Sequence, residues 1–162
     1  MSVAPEARNM SKVLVSVRVA ATPREAFDLF TRDIALWWRP SPLFRFTPRD
    51  GGVLSFEPGE DGRFIETLPS GTVFLIGRIT AWDPGRRLAF GWRQATFTAD
   101  QNTSVEVRFE PIGDETRVTV EHKGWDSVPQ THVARHTMSN VAFLQRHGEY
   151  WRALLEAMAA KI

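Results

Sequence analysis

Apolar and polar residues alternate from the first strand-like stretch onward. Val13, Val15, Val17 and Val19 are interleaved with Leu14, Ser16 and Arg18, the period-two pattern of a half-buried strand. Thr22 is placed to cap a helix that opens on Pro23 with Glu25 in its first turn, and Ala26, Phe27, Leu29 and Phe30 give that helix an apolar side. Trp37 and Trp38 follow at once and stop at Arg39-Pro40. Successive helical residues differ by about 100°, so the two indoles are expected to do different jobs, one against the core and one nearer a mouth or solvent.

The next stretch, residues 39–52, is rich in proline and glycine yet contains Leu43, Phe44 and Phe46. That composition predicts a loop packed over something. Strand-like runs follow at Val53–Glu57, Gly62–Leu68, Thr72–Trp82, Arg86–Arg93, Thr103–Glu110 and Thr116–Lys123, separated by turn chemistry such as PGEDG and DPG. Connections this short make successive strands antiparallel neighbours. Parity turns Leu88, Phe90, Trp92, Val105, Val107, Phe109, Val118, Val120 and His122 inward, and puts Glu66 on the face of Phe64 and Leu68. In Thr72–Trp82 two apolar sets compete, and Gly77 between them is a candidate bulge that switches the parity.

From about Ala134 to Lys161 the pattern changes to helical spacing. Val141, Leu144, Gly148, Trp151, Leu155, Met158 and Ile162 form one stripe, with Phe143, His147, Tyr150, Leu154 and Ala157 beside it. A helix of this extent reaches about 40 Å. Gly148 inside it costs about 1 kcal/mol relative to alanine and points to close packing. A coiled-coil seam is the weaker alternative, because the preceding strands have a face of their own to bury. The predicted fold class is α+β: a curved antiparallel sheet around a long C-terminal helix, with two short helices between strands 1 and 2. Residues 13–162 read as one domain after a flexible tail of residues 1–12.

Composition narrows function by exclusion. A net charge of +1 with no cationic run argues against nucleic-acid binding through phosphate neutralisation. The absence of cysteine removes disulfides, thiolate metal sites and cysteine nucleophiles. No stretch approaches the roughly 20 apolar residues of a membrane span, and residues 1–12 lack the apolar core of a signal peptide. A cytoplasmic location and no cofactor are therefore expected. No phosphate-cradling glycine loop or nucleophile elbow occurs. His132 and His136 have the i, i+4 spacing of metal ligands on a helix, but Val133 stands where the glutamate of HExxH would be and no third ligand is identifiable, so no metal is expected.

Glu66 and His122 are the polar residues on otherwise apolar inner faces. Buried, either one would titrate near neutrality and serve as an acid or base. The structural alternatives are an ion pair of Glu66 with Arg63 or Arg78, and a hydrogen bond from His122 to a backbone carbonyl.

The stretch VRVAATPREAFDLFTRDIALWW, the strand end VTVEHKGW and the closing YWRALLEAM together resemble the SRPBCC superfamily, in the branch named for similarity to the activator of the heat-shock protein 90 ATPase. The resemblance runs from Val13 to Ile162. It implies a helix-grip fold, in which seven antiparallel strands curl round the C-terminal helix and enclose a cavity for lipids, polyketides or other apolar small molecules. It also implies that Trp37 and Trp38 stand near one cavity wall, with Phe56, Phe64, Glu66, Trp92 and His122 on the sheet side. Val141, Leu144, Tyr150 and Trp151 would line the helix side, and Trp125 would gate the mouth. Chaperone function is not implied, since fold does not carry activity with it. The leading functional reading is a carrier or sensor of a hydrophobic small molecule. An enzyme using Glu66 and His122 in the same pocket is the second, and a chaperone- or partner-binding module is the third.

Overall fold

A computed structural model describes residues 12–162; the tail expected over residues 1–12 lies, except for Lys12, outside the described residues. The chain forms β1 (Val13–Val19), α1 (Pro23–Thr31), α2 (Ile34–Trp37), β2 (Val53–Phe56), β3 (Arg63–Thr67), β4 (Val73–Asp83), β5 (Arg87–Trp92), β6 (Thr103–Ile112), β7 (Glu115–Lys123) and α3 (Asn140–Ala159), with two single 3-10 turns, Trp125–Ser127 and Val133–Arg135. The seven strands make one antiparallel sheet in the order β1-β7-β6-β5-β4-β3-β2. This is the helix-grip arrangement, with α3 packed across the concave face.

α1 is fixed where its sequence signals stand. Thr22 Oγ1 accepts from the Glu25 amide at 3.2 Å while Glu25 returns a bond to the Thr22 amide at 3.0 Å, a reciprocal capping box with Pro23 in the first turn. Its buried Phe27 and Phe30 pack edge-on to Phe109 of β6. Trp37 is wholly buried and its indole donates to the Leu29 carbonyl at 2.8 Å, which ties α2 back onto α1.

The two apolar sets of β4 are reconciled by two bulges. The register with β3 shifts between Phe64 and Ile65, and that with β5 shifts between Ile79 and Ala81. Ile76 and Ile79, three residues apart, are therefore both fully buried, and Phe74 and Trp82 pack on the same core. Gly77 sits at this bend against Gly91 of β5. A Cβ on Gly77 would lie 2.0 Å from the Gly91 carbonyl oxygen, so only glycine lets the two backbones approach this closely.

The C-terminal helix begins later than its apolar spacing suggests. His136 and Thr137 have φ of 54° and 59°, which interrupts the helix before Ser139 caps it through a bond from the Ala142 amide. The segment before it is held by the buried Arg135, whose guanidinium donates to the carbonyls of Trp125 (2.6 Å) and Val128 (3.2 Å) and to Asn140 Oδ1 (2.9 Å). α3 thus spans 20 residues, about 30 Å rather than 40. Its buried side is Phe143, His147, Trp151, Leu154, Leu155 and Met158. Of the stripe through Val141, Trp151, Leu155 and Met158 are buried while its first turns lie outward: Val141 is 60% exposed and Leu144 half-buried, beside Lys12, Val13 and Leu14 at the β1 edge. Gly148 lies over Val13, but a Cβ there would meet Val13 at an ordinary 3.6 Å, so packing does not require a glycine.

Candidate functional site

Between sheet and helix, Phe44, Trp92, Trp125, Phe143, Tyr150 and Trp151 pack around the buried pair His122 and His147. His122 of β7 is fully buried, and its Nδ1 lies 3.1 Å from the indole Nε1 of Trp151 and 2.9 Å from Nε2 of His147, both on α3. Its own Nε2 is 2.7 Å from Thr103 Oγ1 on β6, which in turn bonds the Trp92 carbonyl at 2.8 Å. The indole can only donate, so His122 Nδ1 must be an unprotonated acceptor and the proton of the neutral ring sits on Nε2. It follows that His122 donates to Thr103 and that Thr103 donates to Trp92. It follows too that His147 donates through Nε2, which leaves its Nδ1 as a bare acceptor.

That hydrogen-bonded chain has no acceptor for a second N–H on either ring. Protonated His122 would direct an Nδ1–H at two donors. Burial is the main force pushing the His122 pKa well below its ordinary value, and the neighbouring His147 adds to it. Burial likewise pushes His147 down to about 3, helped by the Arg135 charge. The expected bond from His122 to a backbone carbonyl is replaced by three side-chain bonds that occupy both ring nitrogens, and His122 is not free to act as a general base in this arrangement.

A pocket of about 150 Å³ opens to one side, between α2, the loop of residues 38–52 and the β2–β3 hairpin. Its apolar walls are Trp38, Phe44, Phe46 and Leu54; Glu66, Thr47, Arg45 and Asp50 supply its polar groups. Trp38 stacks on Phe46 with ring centroids 6.0 Å apart. Glu66 accepts a 2.7 Å bond from the Thr47 hydroxyl and lies across Gly52, where a Cβ would meet its carboxylate at 2.4 Å. The arginines expected beside Glu66 are engaged elsewhere: Arg63 forks onto Glu57 and Arg78 donates to the Asp61 carbonyl.

The loop earns its apolar residues by inserting two of them. Phe46 lies edge-on to Trp92 at 4.5 Å, and Phe44 packs 4.5 Å from His147 and stacks on Tyr150 at 5.1 Å. The Tyr150 hydroxyl donates to the Arg39 carbonyl and the Ala95 amide to that of Phe46, which holds the loop down; burial raises the tyrosine pKa above its ordinary value.

Of the residues singled out in the sequence, Trp38 and Glu66 border this pocket. Trp37, Phe56, Phe64, Trp92, Trp125 and Trp151 are core residues no more than 8% exposed; Phe56 and Phe64 are stacked on each other at 4.2 Å. Trp125 is enclosed by Phe97 and Phe143 in a smaller cluster and does not stand at a mouth. Val141 and Leu144 do not line the pocket: Val141 is exposed, and Leu144 packs half-buried at the edge of the core. Glu66 and His122 are not brought together: β4, β5 and β6 separate their strands. Nor do His132 and His136 share a helical face. The former caps the 3-10 turn through the Ala134 amide, and the latter bonds the Leu43 carbonyl. Phe44, Phe46, Thr47 and His147 were not singled out. The phenylalanines were visible as apolar residues in a loop, and His147 as a polar residue in an apolar stripe.

Among the described residues no helix is long and apolar enough to cross a membrane, and no cluster of potential metal ligands occurs. No curated protein gives a significant match. A solved structure described as an anthrahydroquino-γ-pyrone synthase is 32% identical, over 90% of this chain and 96% of that one, with a TM-score of 0.57. A protein from Mesorhizobium loti superposes with a TM-score of 0.63 at 16% identity, covering 92% and 94% of the two chains. An HSP90 activator from Plasmodium falciparum does so with 0.58 at 15% identity, covering 87% of each. These two share the fold. Residues 20–160 match the family described as Activator of Hsp90 ATPase homolog 1-like protein. The chain belongs to that family, within the SRPBCC superfamily.

Proposed function

We propose that the protein binds a planar aromatic small molecule in the pocket beneath residues 38–52, as a carrier or sensor. The observation that carries this reading is the pocket itself: an aromatic wall of Trp38, Phe44 and Phe46 facing a hydrogen-bonded Glu66–Thr47 pair. Flat aromatic ligands match such walls by offset stacking, and a carboxylate with a hydroxyl can orient a ligand's donor groups. Burying roughly 150–250 Å² of aromatic surface contributes about 4–6 kcal/mol at ~25 cal/mol per Å². A pocket of about 150 Å³ accommodates one ring. The similarity to an anthrahydroquino-γ-pyrone synthase supports a fused-ring, polyketide-like ligand class.

The same similarity favours an enzymatic second reading. Its chemistry would rest on Glu66 without His122, whose nitrogens are both engaged. A chaperone-directed role draws no support beyond fold from the 15%-identical activator.

Titration with 2-hydroxyanthraquinone, followed by tryptophan fluorescence, tests the proposal. Saturable quenching that is largely lost in Trp38→Ala is expected. No saturable quenching up to the solubility limit, or quenching unchanged in Trp38→Ala, would overturn it. Glu66→Gln separates the two readings: a carrier keeps its affinity within a few-fold, whereas an enzyme loses turnover while still binding.

A further inference from the structure

Three fully buried polar atoms around His147 have no hydrogen-bond partner among the described residues: His147 Nδ1, Trp92 Nε1 and Trp125 Nε1. The tautomer chain makes the first an acceptor, and the two indoles are donors. The rings are adjacent, with centroids 5.8 Å apart for Trp92 and His147 and 5.2 Å apart for Trp125 and His147. A buried donor or acceptor left unpaired costs about 1–3 kcal/mol, so three in one cluster call for a physical reason. Between this cluster and the open pocket stand Phe44, against His147, and Phe46, against Trp92. Both rings also border the pocket, and both come from a segment with neither helix nor strand.

We propose that Phe44 and Phe46 are a removable plug, and that the space behind them is a deeper compartment of the same pocket that receives a phenolic hydroxyl of the ligand. This rests on the aromatic-ligand reading above and extends it. A phenol hydroxyl has one donor and two acceptor positions, which match in number and kind the bare imidazole nitrogen and the indole N–H groups of the two neighbouring rings. The closed pocket holds about one ring; each departing phenylalanine opens space for roughly one more, which brings the compartment toward the ~300 Å³ at which ligand pockets begin. The loop is held by contacts that can be exchanged without disturbing the sheet: Tyr150 to Arg39, His136 to Leu43, Thr47 to Glu66 and the Ala95 amide to Phe46. The bonds among His122, Thr103, Trp92 and Trp151 do not involve the loop, so they persist when it lifts.

The test uses the full chain labelled with 15N-histidine at pH 6, with 2-hydroxyanthraquinone and anthraquinone as probes. Two-bond proton–nitrogen spectra report the protonation and hydrogen bonding of each imidazole nitrogen. The hydroxylated probe is expected to bind at least tenfold more tightly and to move the His147 Nδ1 resonance, while anthraquinone leaves it in place. Phe44→Ala, or Phe44→Leu if the alanine variant does not fold, is expected to speed association at least tenfold. Equal affinities with an unmoved Nδ1 resonance, while Trp38 quenching persists, would overturn the deep compartment and leave the shallow site standing. An Nδ1 resonance already hydrogen-bonded in the free protein and altered by neither probe assigns these atoms to buried water and also overturns it. Absence of saturable quenching by either probe removes both readings.

Discussion

Acidification from pH 7.5 to 5 should remove about 2 kcal/mol of stability through His147, with a further loss through His122. Both are held neutral in the folded chain, His147 with a pKa of about 3 and His122 well below its ordinary 6.5. In the unfolded chain each titrates near 6.5. Between these values the unfolded state binds more protons, so stability rises with pH and is lost as pH falls below about 6.5. For His147 the loss is about 1.4 kcal/mol per pH unit, close to 2 kcal/mol at pH 5, and His122 adds to it in the same direction. That is already a sizeable share of the 5–15 kcal/mol usual for a domain. The depressed carboxyls of Glu57 and Glu106 lose their contribution only at lower pH. Urea unfolding followed by tryptophan fluorescence at pH 7.5, 6 and 5 measures the slope. His147→Phe, which keeps a ring against Phe143 and leaves His122 its bond from Trp151, should lower it by the His147 share. Equal stabilities at pH 7.5 and 5, or a full slope in His147→Phe, would refute the neutral pair.

Gly77→Ala should cost at least about 3 kcal/mol or prevent folding, because its Cβ would overlap the Gly91 carbonyl; Gly91→Ala, with 3.5 Å of clearance, should cost under about 1 kcal/mol. Equal effects in thermal melts would contradict the one-sided crossing. Gly148→Ala should stabilise by about 0.5–1 kcal/mol, since the helix gains propensity and the methyl meets only Val13, a change resolvable as a raised urea midpoint at unchanged slope. Thr103→Val should destabilise by about 1–3 kcal/mol by leaving the His122 Nε2–H without its acceptor. An unaltered His122 imidazole spectrum in that variant would show that the bond is not made.

The strands were legible because turn chemistry and parity are local: PGEDG separates β2 from β3, and alternation correctly turns Trp92, Val107, Val120 and His122 inward. What escaped was decided over longer distances. The bulges of β4 depend on Gly77 meeting Gly91, a residue of another strand. The helix start depends on His136 and Thr137 adopting positive φ beside the Arg135 anchor, which the i, i+3 and i+4 spacing cannot register. Two adjacent apolar stripes leave the rotation of α3 free by tens of degrees. The choice between Val141 and Phe143 was settled by Phe44 and Trp125, which pack on Phe143 from elsewhere in the chain. The pairing of His122 with His147 is likewise a tertiary fact, joining residues 25 apart in sequence.

The contact between Gly77 and Gly91 bears on how the size of the pocket could change. The bend of the sheet at that point is set by main chain meeting main chain, with no side chain whose exchange would relax or tighten it. Variation in the size of the pocket therefore falls to its side chains, above all Trp38, Phe44, Phe46 and Leu54, which can be trimmed or enlarged one at a time over a curvature that stays constant.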